Sequence, residues 1–158
     1  MKRRYEVDLL SLPPAMTLTN LRHPTPHDQD ALAELMLDAY RGTIDFDDEG
    51  IEEAQTEVTD YFASHPVLDA STVISAEQTL LSACLVSHHR ESELPLIAYL
   101  MTRAETKRQG YARAALTASL RWLTLLGHRR AEAYITAGNI ASEELCLSLG
   151  FKPVQTKP

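Results

Sequence analysis

Thr102-Arg103-Ala104-Glu105-Thr106-Lys107-Arg108-Gln109-Gly110-Tyr111-Ala112 decides how this chain is read. An apolar run, Leu94 to Thr102, precedes it, and a helical pattern from Gly110 to Leu126 follows, so the segment turns a strand into a helix. Gly110 supplies a backbone position closed to other residues, and Ala112 is small enough for a ligand to approach closely. The first-turn N–H groups of a helix have no partners within it and, helped by the helix dipole, bind anions. Arg103, Lys107, Arg108 and Arg113 gather here with only Glu105 against them. A phosphate-bearing ligand and a solvated basic edge both fit these residues. The Walker pattern is absent, and one glycine is too few for a dinucleotide fingerprint.

Outward from this segment the patterns alternate. Ala131–Thr136 reads as a strand, Ala141–Leu149 as a short helix stopped by Gly150, and Phe151–Val154 as a last strand. On the other side, Thr72–Ile74 and Leu80–Ser87 read as a hairpin around Ala76-Glu77-Gln78. Upstream, Leu18–Leu21 is a short first strand. Thr25, Pro26 and Asp28 then open a helix whose stripe is Leu32, Leu35, Met36 and Ala39. A second helix is expected over Gly50–Ser64, burying Ile51, Ala54, Val58, Tyr61 and Phe62. The order β-α-α-β-β-β-α-β-α-β predicts an α/β sandwich, hairpins first and crossovers later.

The 158 residues suit one domain with a real core. Fifteen Lys plus Arg against 22 Asp plus Glu, a net charge of −7, argue against a general nucleic-acid binder. Cys84 and Cys146 sit in apolar runs, away from metal-ligand spacing, so a reducing, cytoplasmic setting is expected, with no metal. No run is long enough for a membrane span. Met1-Lys2-Arg3-Arg4 imitates a signal peptide, but Glu6, Asp8 and the short Leu9–Leu12 run break the pattern. Residues 1–16 are read as an appended arm, with Met16 an alternative start, and residues 17–158 as the single domain. Monomer and homodimer stay open.

The segment Lys107-x-x-Gly110-x-Ala112 resembles motif A of the GNAT superfamily of acyl-CoA-dependent N-acyltransferases, with Lys in place of the usual Gln or Arg. Downstream, Asn139-Ile140-Ala141-Ser142-Glu143-Glu144-Leu145-Cys146-Leu147-Ser148-Leu149-Gly150-Phe151 resembles the family's Asn–small–Leu-Tyr–Leu-Gly-Phe hallmark. The two motifs span about 60 residues in register. The resemblance implies a three-layer α/β sandwich, a mixed sheet with helices on both faces and a V-shaped gap between its splayed parallel fourth and fifth strands. It also implies acetyl-CoA as co-substrate. Its pantetheine arm would lie along Leu100, Met101 and Thr102 as an added strand. Its pyrophosphate would rest on the amides of Gln109, Gly110, Tyr111 and Ala112, with Lys107, Arg108 or Arg113 supplying charge. Asn139 would touch the pantetheine or cap the next helix.

Acyl transfer from a thioester to an amine needs the amine deprotonated, donors for the oxyanion and a good leaving group. The resemblance gives the oxyanion donor to a backbone N–H near Leu100 or Met101. Many relatives carry a Tyr as leaving-group acid where this chain has Cys146. Cys146 is open to three readings: acid, small core residue or nucleophile. Tyr134 and Tyr99 are the candidates to replace it, with packing on the strand as the other reading of each. The strand that carries Tyr99, Leu100 and Met101 offers no carboxylate base, and His88-His89 reads as a surface pair. Asp45-Phe46-Asp47-Asp48-Glu49 falls where relatives wall the acceptor pocket: it attracts a cationic amine, with Tyr40 or Phe46 beside it, or is a solvated turn. It is not a calcium loop, since Thr56 stands where the bidentate Glu belongs. The expected activity is acetyl transfer from acetyl-CoA to a primary amine of a small molecule or peptide; an acyl-CoA sensor without turnover is the alternative.

Overall fold

The computed structural model describes residues 1–13, 20–45 and 48–155. Met16, Leu18 and Thr19 of the expected start and first strand, and Phe46 and Asp47 of the acidic run, lie outside the described residues. The strands are β1 (Lys2–Asp8), β2 (Leu21–Arg22), β3 (Thr72–Ala76), β4 (Thr79–His88), β5 (Pro95–Thr102), β6 (Arg130–Thr136) and β7 (Lys152–Pro153). The helices are α1 (Gln29–Tyr40), α2 (Ile51–Ala63), α3 (Tyr111–Leu125) and α4 (Ile140–Ser148). One sheet runs in the order β2-β3-β4-β5-β6-β1-β7. Its neighbours are antiparallel except β5 and β6. This is the mixed, three-layer GNAT-like sandwich expected. The fourth and fifth strands of the sequence reading are β5 and β6, because one strand precedes those it counted.

That strand corrects the reading of residues 1–16 as an appended arm. β1 inserts between β6 and β7, paired with β6 from Lys2↔Thr136 to Asp8↔Arg130. Its alternation explains why: Tyr5 and Val7 are buried in the core, as is Leu9 just beyond, while Arg4 and Glu6 stay on the opposite face. Each such burial contributes about 1.5–3 kcal/mol, and Tyr5 adds a hydrogen bond to Glu143 Oε1 at 3.0 Å. The N-terminal strand is thus built into the core.

Two apolar layers flank the sheet. Leu116, Leu120 and Leu123 of α3 and Cys146 of α4 pack with Tyr5, Val7, Ala133 and Phe151 on one face. Leu32, Leu35 and Met36 of α1 and Val58 of α2 pack with Leu85 and Met101 on the other. Asp28 accepts the Thr25 amide at 2.7 Å, closing the capping box of the 3-10 turn Pro26–Asp28 that leads into α1. Ile51, expected to be buried, is 41% exposed. The β3–β4 turn places Glu77 and Gln78 at φ 49° and 70°, the mirror-image geometry that suits the twist of a tight hairpin.

Two features open the gap between β5 and β6. Val86 pairs with Ile97 but Leu85 with Tyr99, so Ala98 bulges out of the ladder. The parallel ladder itself holds only at Leu96↔Glu132 and Ile97↔Ala133. Beyond those pairs the two strands diverge.

Candidate active site

A cavity of about 480 Å³ fills the divergence. Ala98, Tyr99 and Leu100 form one wall and Tyr134, Ile135 and Thr136 the other. Tyr40, Asp45, Glu49 and Glu57 close it from the α1–α2 side, Asn139 and Cys146 from α4, and Lys2 from β1.

Backbone parity fixes what β5 offers the gap. The Arg103 amide donates to the Leu81 carbonyl at 2.7 Å, which makes that couple a hydrogen-bonded pair of the β4–β5 ladder. Hydrogen-bonded and non-bonded pairs alternate, so Tyr99 and Met101 also turn their backbone groups to β4. The N–H and C=O of Leu100 and Thr102 therefore face the gap. Met101, expected along the cofactor with them, does not share this orientation: its backbone faces β4 and its side chain is 1% exposed in the core.

At the other end, the loop curls into α3 through Arg108 at φ 67° and Gly110 at φ 86°, both left-handed. A Cβ built on Gly110 would meet nothing within 4 Å, so the space over the helix start is open. Ala114 donates to the Gly110 carbonyl at 3.0 Å, and among the described residues no acceptor takes the amides of Gln109, Gly110, Tyr111, Ala112 or Arg113. These amides form a cradle suited to an anion. The surrounding cations are only partly disposed for it. Lys107 Nζ donates to the Ala39 carbonyl at 2.8 Å, at the C-terminal end of α1, and Arg113 donates to Ser148 Oγ at 2.5 Å. Arg108 stands exposed beside the cradle.

Asn139 caps α4 by accepting the Ser142 amide at 3.2 Å and donates through Nδ2 to Asp45 at 2.9 Å. Thr136 Oγ1 also donates to Asp45, at 2.7 Å. This carboxylate thus ties the α1–α2 loop to the mouth of the gap. Tyr99 donates to Glu57 Oε2 at 2.9 Å. Burial, then the hydrogen bond to Glu57, pushes the Tyr99 hydroxyl well above its ordinary pKa; burial and the nearby Asp45 do the same to Tyr40. Both hydroxyls stay protonated, and that of Tyr99 serves as a donor. Burial also pushes the Cys146 thiol up to about 12. At 5% exposure it is a neutral core residue with one edge on the cavity, unsuited to act as a thiolate. Tyr134 is 40% exposed, its ring edge-on to His89 at 5.9 Å between centroids.

His89 corrects the reading of His88-His89 as a surface pair. Its Nδ1 is hydrogen-bonded to Glu132, a fully buried carboxylate on β6. Glu132 also accepts from Arg4 Nε at 2.7 Å and Ser92 Oγ at 2.6 Å. Burial opposes its charge, but the bonds from Ser92, Arg4 and His89 outweigh that and hold its carboxyl below the usual range. This cluster pins the closed end of the gap. Glu132, Glu57 and Lys2 were missed as site residues, and only the alternation of β1 could have signalled any of them.

Residues 19–152 match the family model for the acetyltransferase (GNAT) domain. No curated protein matches the sequence. Among solved structures, the aminoglycoside N-acetyltransferase AAC(6')-Iy, in complex with a CoA-linked bisubstrate analogue, is 15% identical with a TM-score of 0.65, over 90% of this chain and 96% of that one. A GNAT-family acetyltransferase from Colwellia psychrerythraea gives a TM-score of 0.75 at 11% identity, over 97% of this chain and 52% of that one. The diaminobutyrate acetyltransferase of Paenibacillus lautus, solved with its substrate and coenzyme A, gives 0.60 at 23% identity, over 81% and 72%. At these identities the likeness speaks to the fold.

Proposed function

The chain belongs to the GNAT acetyltransferases, which use acetyl-CoA as co-substrate, and from that premise we propose that it acetylates a primary amine on a small molecule or peptide. The observation that carries this reading is the gap itself. One strand edge, at Leu100 and Thr102, is free to pair with an amide-bearing arm, and one unpaired helix start can hold a diphosphate, while carboxylates stand opposite.

Each side of the gap has its own task. The amides from Gln109 to Ala112 hold the diphosphate, with Arg108 the nearest uncommitted cation and Lys107 and Arg113 within a side-chain rotation. Leu100 and Thr102 align the pantetheine by backbone pairing. Acetyl-CoA supplies an activated acyl group. The Leu100 N–H, facing the gap beside the Ala98 bulge, is the donor for the acyl oxygen. Asp45 and Glu57 draw a cationic amine to the opposite wall and take up its proton, directly or through water. The Tyr134 hydroxyl is the acid for the departing sulfur, in place of the Tyr that Cys146 replaces.

The test is free-thiol release from acetyl-CoA across a panel of primary amines. Steady release with at least one amine is expected. Coenzyme A that raises the melting temperature without any thiol release would leave a binding module in place of an enzyme.

A further inference from the structure

Lys2 is the one cationic side chain lining the described cavity, whose other charged lining residues are Asp45, Glu49 and Glu57. β1 delivers it. Lys2 pairs directly with Thr136, and cross-strand partners share a face of the sheet, so Lys2 stands on the same side as the Thr136 hydroxyl that holds Asp45. This is the α1–α2 face, where the acceptor is to bind. Among the described residues no acidic side chain forms an ion pair with Lys2, whereas Arg4 and Arg130 on the same ladder both pair with Glu6. The cavity therefore presents three carboxylates and, from the neighbouring strand, one ammonium that no acidic side chain of the described residues neutralises.

Resting on the acetyltransferase reading, we infer that the acceptor is an amphoteric amine. One amino group is directed to the Asp45–Glu57 side, and a carboxylate on the same molecule is held by Lys2. A purely cationic polyamine would satisfy the acidic wall but set positive charge against Lys2. A diamino acid satisfies both. A carboxylate on an ammonium in a partly desolvated cleft forms a charge-assisted hydrogen bond, about twice as strong as a neutral one. Lys2 is then a specificity-determining residue, contributed by the strand that completes the sheet.

The experiment compares acceptors that differ only by a carboxylate: ornithine against putrescine, and lysine against cadaverine. Binding to the protein saturated with coenzyme A is followed by ligand-observed NMR, and turnover by thiol release. The amino acid of each pair is expected to bind about tenfold more tightly, the preference worth about 1.4 kcal/mol. Lys2→Gln is expected to bring that ratio close to one, and Lys2→Glu to invert it. Lys152→Gln, an exposed lysine on β7, is the control that keeps the wild-type ratio. Equal or tighter binding of the diamines, or a ratio untouched by Lys2→Gln, overturns the inference even if the enzyme turns over. A carboxylate preference without thiol release from any amine upholds the Lys2 site and removes the acetyltransferase reading instead.

Discussion

Glu132→Gln strikes the buried ionic cluster at the closed end of the gap. Three donors converge on two oxygens. His89 and Ser92 bond Oε1, and Arg4 bonds Oε2. Glutamine keeps one oxygen, so its NH2 group either meets the Arg4 guanidinium, donor against donor, or faces Ser92 and His89, which must then turn from donors into acceptors, and in either case the charge that Arg4 pairs with is lost at a fully buried position. Removing one partner of a buried ionic cluster costs about 3–5 kcal/mol. Partial exposure of Arg4, at 27% of its side chain, lets water take up some of that loss, so the lower part of the range is expected. For a chain of this size about 3 kcal/mol lowers Tm by roughly 6–12 °C. The pH dependence follows from the depressed carboxyl pKa. The folded protein holds Glu132 ionised where the unfolded chain takes a proton, so its stabilisation is present above the ordinary glutamate range. It is lost as pH falls through the folded value. Urea unfolding followed by circular dichroism between neutral and acid pH should show Glu132→Gln less stable at neutral pH and flatter on the acid limb. A loss under about 1 kcal/mol at neutral pH, or an unchanged acid limb, would refute the reasoning.

Tyr134→Phe should lower kcat about 10- to 100-fold while leaving coenzyme A affinity unchanged, because only the acid for the departing sulfur is removed; a wild-type kcat would take Tyr134 out of the mechanism. Cys84 and Cys146, both with thiols pushed up to about 12 by burial, should resist a thiol-reactive disulfide at pH 8 and react as two thiols after denaturation. Rapid native reaction of one thiol would restore the nucleophile reading of Cys146. Val7→Ala should cost about 1–3 kcal/mol in urea unfolding, since β1 is part of the core; no loss would return residues 1–8 to the status of an arm.

Much of this architecture is legible in the sequence because local signals carry it. The Leu32–Ala39 stripe, the Thr25–Asp28 cap and the glycines that end α3 and α4 each mark an element whose register is set by its own neighbours. β1 is the exception. Its Tyr5-x-Val7-x-Leu9 alternation is a strand pattern, but the flanking charges Lys2, Arg4, Glu6 and Asp8 read equally well as a solvated arm. Only its insertion between β6 and β7 shows that Arg4 and Glu6 have partners across the sheet. The strand–loop–helix geometry around Gly110, proposed to hold the cofactor, was readable because a single segment carries it. The acceptor side was legible only in part: Asp45 and Tyr134 were singled out, but Lys2 and Glu57 were not, because the four come from separate elements and share no spacing. The same holds for Arg4, His89, Ser92 and Glu132. Backbone parity separates Leu100 and Thr102 from Met101, and that parity follows from the β4 register, which no single-strand pattern contains.

Titration calorimetry of coenzyme A into the wild type and into Gly110→Asp tests the central claim most directly. Gly110 sits at φ 86° with open space above it, and aspartate is among the few residues that tolerate the left-handed conformation, so the variant should fold. Its carboxylate would project toward the amide cradle where the diphosphate is to rest. A diphosphate held on that cradle requires micromolar binding to the wild type and at least a tenfold loss in the variant. Identical heats and affinities for the two proteins would contradict it.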